Sequence, residues 1–219
     1  MNNDPSNAHV AQPDLVSSGL SERTSKASDF SLFFSKFLAK GRQISSAVPS
    51  SPAMVAGVLE HVDFNRPGTI VELGAGTGPV TEQIVEQLRP HHRFVAVEND
   101  RDFCDVLRRR FPDVSLLQAD ATRICEPLAK MGIHKVDYVL SGLPTPALPR
   151  RSLLAMMHWL HDALSPDGVF IQITVAPMLY RGFYSRLFDE VDYRMVWLNV
   201  PPGGVYRCAR PRRPLRKKR

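Results

Sequence analysis

The sequence predicts an α/β fold, with helices packed on both faces of a mostly parallel sheet. Such a sheet presents a nucleotide-like ligand to the carboxyl ends of its strands. Three observations carry the prediction. The first is Val71-Glu72-Leu73-Gly74-Ala75-Gly76-Thr77-Gly78, set between the apolar run Thr69 to Val71 and a helical pattern from Pro79 to Leu88. Glycines suit a turn where the chain must bend sharply and let a ligand approach the backbone. The second is Glu98, which closes the apolar run Phe94-Val95-Ala96-Val97 and lies 24 residues beyond Gly74. A carboxylate there can accept hydrogen bonds from both hydroxyls of a ribose. The third is the rhythm after residue 67: short apolar runs alternate with helical patterns and close on a pair of strands.

The same glycine spacing excludes two alternatives. Pro79 stands where a dinucleotide fingerprint places its third glycine, and no Gly-Lys-Ser/Thr follows to cradle a phosphate.

At 219 residues, 43% apolar and 23% charged, the chain has the composition of one ordinary soluble domain with a substantial core. No run approaches the ~18 apolar residues of a membrane span, and no apolar segment follows the first charges to make a secretory signal. Cys104, Cys125 and Cys208 are scattered without C-x-x-C spacing, so reduced cytosolic thiols are expected. His158 and His161 share a predicted helix without a third partner, so no metal is expected. Net charge is +6, and eight of the 13 residues from Arg207 to Arg219 are Lys or Arg. Such a tail attracts nucleic acid or the anionic face of a membrane, or simply solvates the chain.

Residues 1–27 are polar and expected to lack structure. Residues 28–66 should supply two helices. The first follows an N-cap at Ser28-Asp29 and carries Phe30, Phe33, Phe34, Phe37, Leu38 and Ile44 as one apolar stripe, with Lys36, Lys40 and Arg42 outside it. That pattern fits a helix lying in a membrane interface, or one folded over the domain as a lid. Pro49-Ser50-Ser51-Pro52 starts the second helix, to about Val62. The main domain, residues 67–210, then alternates strand one from Thr69, strand two to Glu98, a helix from Asp100 to Arg110, and strand three from Val114 to Gln118. Asp120 follows that strand, and strand four runs from Val136 to Leu140. A helix from Pro146 to Leu164, a Ser165–Gly168 turn and strand five, Val169 to Thr174, come next. A helical stretch from Pro177 to Phe188 precedes two last strands, Tyr193–Asn199 and Gly204–Ala209. Residues 211–219 form the basic tail.

The glycine turn with Glu98 resembles the cofactor site of class I methyltransferases. That resemblance implies a Rossmann-like seven-stranded sheet with its last strand antiparallel, and S-adenosylmethionine as cofactor. It implies that Glu72 and the backbone of Gly74, Gly76 and Gly78 hold the methionine end, Glu98 the ribose, and Asp120 with Ala121 the adenine. Asp120 equally suits a helix N-cap. The resemblance places donor and acceptor beside Ser141, Gly142 and Leu143. In amide and nucleobase amine methyltransferases this place often reads Asn/Asp-Pro-Pro-aromatic or Asn-Leu-Pro-Tyr, whose Asn and proline-preceding carbonyl receive the target amino group. Here Ser141 replaces the Asn and Thr145 the aromatic, so the residue that would stack on a base is missing. An aliphatic amine has room.

From the Phe-rich helix to Arg210, the sequence is similar to a narrower family, the bacterial phospholipid N-methyltransferases. The likeness rests on that helix with Ser46-Ala47-Val48-Pro49-Ser50, the glycine motif, Ser141-Gly142-Leu143-Pro144, and Asn199-Val200-Pro201-Pro202 before Val205-Tyr206-Arg207. It implies methylation of phosphatidylethanolamine, up to three times, towards phosphatidylcholine. The enzyme would sit peripherally on the cytoplasmic face of the plasma membrane. Phe30, Phe33, Phe34 and Phe37 would enter the acyl boundary, with Lys36 and Lys40 at the headgroups. Arg181 or Arg207 could hold the lipid phosphate. Tyr180 or Tyr206, with Ser141 nearby, could receive the proton the amine must lose. Two alternatives remain open. Ribosomal RNA adenine dimethyltransferases share the glycine motif and acidic strand end, and would use the basic tail on nucleic acid. A catalytically retired member could serve only to bind membrane or RNA.

Overall fold

The structure, a computed structural model, describes residues 51–174, 177–199 and 202–214. The polar segment 1–27, the amphipathic helix with Phe30, Phe33, Phe34, Lys36, Phe37 and Lys40, and the tail beyond Pro214 lie outside the described residues.

Seven strands form one sheet in the order β3-β2-β1-β4-β5-β7-β6. They are β1 (Gly68–Leu73), β2 (His92–Glu98), β3 (Ser115–Gln118), β4 (Val136–Ser141), β5 (Leu164–Thr174), β6 (Phe188–Val196) and β7 (Gly203–Pro211). The first five pair in parallel, and β7 runs antiparallel between β5 and β6. This is the class I methyltransferase plan that the sequence predicts.

The inner strands are apolar on both sides because helices cover both faces. Val71, Leu73, Val97, Val139, Phe170, Tyr206 and Cys208 turn to one face. There they pack under α4 (Cys125–Lys130), α5 (Arg150–Ala163) and α6 (Pro177–Tyr184). Ile70, Phe94, Leu140, Ile171 and Val205 turn to the other, under α1 (Pro52–Leu59), α2 (Pro79–Val85) and α3 (Arg101–Arg110). Ser51 caps α1 by accepting the Met54 N–H, and its own N–H donates to Asn199 Oδ1 at 3.2 Å. The buried Asn199 therefore ties the start of α1 to the β6–β7 connection.

Several boundaries differ from expectation and helix α4 was not expected; three differences bear most on the fold. Pro149 divides the helical run predicted from Pro146: a 3-10 turn covers Thr145–Ala147 and α5 begins at Arg150. The Ser165–Gly168 turn is absorbed into β5, where the register slips between Val136–Leu164 and Tyr138–Val169 pairs. Helix α6 ends at Tyr184 and β6 begins at Phe188, five residues before the predicted Tyr193. Strand β6 is an edge, and Asp189, Glu190, Asp192 and Arg194 are solvated on it, which erases the alternation that marks a half-buried strand.

Pairing of Thr174 with Gly204 and of Val196 with Gly203 brings the start of α6 and the β6–β7 turn to the carboxyl edge of the sheet. Strand β7 then runs to the opposite edge, where the Arg212 N–H donates to the Leu187 carbonyl at 2.7 Å.

Candidate active site at the carboxyl edge of the sheet

The glycine turn leaves β1 with Gly74, Gly76 and Gly78 at φ of 76°, 58° and 88°, a region that suits glycine. Two of the three differ in what surrounds them. A Cβ on Gly78 would lie 2.6 Å from the Phe111 ring and 2.9 Å from Leu107, so this glycine lets α2 start against α3. A Cβ on Gly76 would meet nothing within 4 Å, which leaves the backbone open to a ligand. The Gly76 N–H donates to Glu98 Oε2 at 2.8 Å, while Glu98 Oε1 accepts from Asn99 N at 2.8 Å and Asp100 N at 2.9 Å. Three backbone donors thus aim the half-buried carboxylate at the end of β2, and its remaining lone pair, on Oε2, suits a ribose hydroxyl.

Glu72 is placed differently. It is 4% exposed on the α2 face of β1, and Thr81 Oγ1 donates to its Oε2 at 2.6 Å. Burial pushes its pKa up to about 7; the Thr81 hydrogen bond opposes that and the nearby Glu98 charge adds to it. An ammonium group arriving at the glycine turn would relieve the desolvated carboxylate, so Glu72 fits the methionine end of the cofactor.

Asp120 does what its rival reading predicted. Its Oδ1 accepts from Thr122 N at 2.9 Å and Thr122 Oγ1 at 2.8 Å, capping the 3-10 turn Ala121–Arg123. Its Oδ2 lies 4.0 Å from Arg123 Nε. The cap orients the carboxylate beside buried Ala121 and leaves Oδ2 for an adenine amino group.

Acceptor-side residues follow β4. The Gly142 N–H donates to the Leu73 carbonyl at 3.0 Å, and a Cβ on Gly142 would stand 3.2 Å from the Gly74 carbonyl oxygen. This loop and the glycine turn therefore touch backbone to backbone. Ser141 is 1% exposed, and its Oγ accepts from Leu143 N at 3.3 Å, bracing the loop. Thr145 is equally buried and donates to Gln172 Oε1 at 2.5 Å. Gln172 is the residue that sequence reading passed over. The available signal was one amide inside the apolar run of strand five.

The remaining candidates divide. Tyr180 and Arg181 lie on α6, with the Arg181 guanidinium 5.8 Å from the centroid of the Tyr193 ring. Tyr206 is fully buried beside Tyr184 and Tyr193, at ring distances of 4.6 and 5.7 Å. Desolvation pushes its pKa up to about 12 and also raises that of Tyr180. Burial disfavours the phenolate form of both, so the expectation that either receives the amine's proton gains no support from their surroundings. Arg207 lies apart from them. Strand alternation turns it to the α1 face, away from Tyr206, where it lies 3.9 Å from Asp192 and within electrostatic reach of His61. It faces away from the acceptor loop.

Four large apolar side chains ring this edge: Met178 and Leu179 on α6, 75% and 69% exposed, and Trp197 and Leu198 in the β6–β7 turn, 71% and 81% exposed. No helix among the described residues is long and apolar enough to cross a membrane, and no cluster of three metal-ligating side chains occurs among them.

A family profile described as "Methyltransferase domain" matches residues 70–168. The ornithine lipid N-methyltransferase of Singulisphaera acidiphila is 37% identical over 183 residues, covering 82% of this chain and 95% of its own length. A ribosomal RNA small subunit methyltransferase A of a Synechococcus strain is 35% identical over 174 residues, but the match covers 57% of that protein. Among solved structures, the O-methyltransferase TomG of Streptomyces achromogenes, in complex with SAM, aligns with a TM-score of 0.60 at 17% identity, over 80% of this chain and 88% of its own. A 1,6-didemethyltoxoflavin-N1-methyltransferase of Burkholderia thailandensis aligns with a TM-score of 0.56 at 19% identity, over 93% and 92%. These two likenesses establish the fold. Relatedness along nearly the full length of the lipid enzyme goes further, and the chain belongs to the bacterial lipid N-methyltransferases of the class I S-adenosylmethionine-dependent superfamily.

Proposed function

We propose that this enzyme methylates the aliphatic amine of a membrane lipid headgroup, at the membrane surface on the cytoplasmic side. The observation that carries this reading is the acceptor loop. Thr145 stands where a base-stacking aromatic would be needed, and it is buried and tied to Gln172. Two headgroups fit: the ethanolamine of phosphatidylethanolamine, and the ornithine that names the relative matched over 95% of its length. The exposed apolar ring at the same edge supports a bilayer as partner.

S-adenosylmethionine supplies a methyl group on a sulfonium, ready for in-line displacement. The protein's share is alignment. Glu98 orients the ribose, Glu72 balances the methionine ammonium, and Oδ2 of Asp120 receives the adenine amino group. The contact between Gly142 and the glycine turn sets how close the acceptor loop stands to the donor. A lipid ammonium must lose one proton before attack. Water at the carboxyl edge would serve as its acceptor.

The basic tail supports RNA less well. Its first residues start from the edge opposite the glycine turn, and Arg207, Arg210 and Arg212 already face Asp192, Glu190 and Asp189. The deciding experiment offers labelled S-adenosylmethionine with vesicles of phosphatidylethanolamine, vesicles of ornithine lipid, or unmodified ribosomal RNA. Label in either lipid is the expected result and names the headgroup. Label confined to RNA overturns the proposal.

A further inference from the structure

Gln172 sits in the middle of β5 between Ile171 and Ile173, 1% exposed, beside Ser141 of β4 and Tyr206 of β7. Burying a carboxamide is costly unless its hydrogen bonds are complete. Here they are. Its Nε2 faces three carbonyl oxygens, those of Ser141 at 3.0 Å, Leu143 at 2.8 Å and Ile173 at 2.7 Å, and its two hydrogens are shared among them. Three acceptors on one side fix which way the amide points, since a flipped oxygen would face them without a proton between. Its Oε1 takes the Thr145 hydroxyl at 2.5 Å.

One consequence concerns the carbonyl before Pro144. Pro144 has φ −75° and ψ 64°, an inverse γ-turn, and the Thr145 N–H donates back to the Leu143 oxygen at 2.8 Å. Gln172 donates to the same oxygen, so both of its lone pairs are filled. An acceptor amine reaching for that carbonyl would have to displace one of these bonds. Beside the cluster lie two buried hydroxyls with no hydrogen-bond partner among the described residues, those of Tyr184 and Tyr206. Thr145 is close enough to influence the first.

We propose that Gln172 is a positioning residue for methyl transfer. It clamps the Ser141–Thr145 loop against the glycine turn and withholds the Leu143 carbonyl from the acceptor. The site therefore favours an aliphatic amine over a planar amino base that would need that carbonyl. The nature of the acceptor rests on the lipid-amine reading; the clamp rests on the hydrogen bonds alone.

Gln172→Glu tests it without changing shape, because a carboxyl group brings at most one hydrogen to the three carbonyls where the amide brings two. Thr145→Val and Thr145→Ser remove and retain the second half of the clamp. Amide hydrogen exchange of residues 142–147 is measured on the unliganded protein, followed by S-adenosylmethionine affinity and steady-state kinetics with the lipid vesicles and with RNA. In Gln172→Glu, exchange at Leu143 and Thr145 should quicken by about tenfold or more. Its kcat should fall about 100-fold, as expected for a displaced reacting pair, with KM and S-adenosylmethionine affinity within about threefold. Thr145→Ser should keep most of the activity and Thr145→Val lose about tenfold. Unchanged exchange and kcat in Gln172→Glu would overturn the clamp. A parallel fall in kcat, cofactor affinity and melting temperature, without loop-specific exchange, would reduce Gln172 to a structural residue. If the wild type methylates RNA or neither class of acceptor, the selectivity and the lipid reading both fall, while exchange still decides the clamp.

Discussion

Glu72 and Glu98 are two carboxylates beside one glycine turn, and their surroundings ask different things of them. Glu98 is half-buried and held by three backbone N–H groups, which orient it and leave one lone pair for a hydroxyl. Glu98→Ala should weaken S-adenosylmethionine binding about 10- to 100-fold, the scale of hydrogen bonds to a charged group, with the fold intact. Calorimetry showing unchanged affinity would refute the ribose assignment. Glu72 is buried, with its pKa raised from an ordinary 4.5 to about 7. Below 4.5 it is protonated in both folded and unfolded chains and costs nothing. As pH rises from about 4.5 to 7, the unfolded chain releases the proton that the folded chain retains, so stability falls by roughly 3 kcal/mol and then levels off. Glu72→Gln should remove that slope, matching wild type at pH 4.5 and exceeding it in stability at pH 8. Wild-type S-adenosylmethionine affinity should rise between pH 5 and 7.5 and that of the variant should not. Denaturant unfolding and calorimetry across this range check both halves. Both carboxylates were legible in the sequence from position alone. Their difference was not, because it depends on Thr81 and on how deeply α2 buries one of them.

At the scale of elements, the β6–β7 turn and the start of α6 matter most. The sequence shows Trp197 and Leu198 as the apolar end of a strand, and Met178 and Leu179 as one turn of a helix. The structure places all four on the carboxyl edge, largely exposed. Burying such side chains in a membrane interface is favourable in proportion to their apolar area. Replacing Trp197 and Leu198 by Ser should cut co-sedimentation with anionic vesicles several-fold, while S-adenosylmethionine affinity stays within about twofold. If the variant pellets as wild type does, the turn takes no part, and Phe33→Glu with Phe37→Glu tests the Phe-rich N-terminal segment instead. Asn199 explains why an Asn-x-Pro-Pro element stands here: its side chain receives the Ser51 N–H and joins the turn to α1. Sequence reading could mark that motif as distinctive, but its partner lies 148 residues away.

For the whole molecule, the sheet order separates two chemistries. The glycine turn, Glu98, the acceptor loop and the apolar ring share the carboxyl edge, whereas β7 delivers Arg212 to the opposite one. The acids of β6 meet the arginines of β7 and its exit, which partly neutralises the described part of the basic run. Charge counted along the chain overstated what that run presents to a partner.

The fold class, the strand-turn-helix unit and the cofactor-side residues could be read from the chain because each rests on local pattern. Glycine spacing, an acid at a strand end and the periods of strand and helix are all short-range properties. The acceptor side could not be read this way. Whether Ser141 and Thr145 meet a ligand or are tied into the core depends on Gln172, which reaches them only when β5 lies beside β4. Tyr206 and Arg207 are neighbours in sequence and lie on opposite faces of the sheet, one buried and one beside Asp192. Packing and pairing across the sheet settled those roles, because burial and hydrogen-bond partners come from residues that only the folded chain brings together.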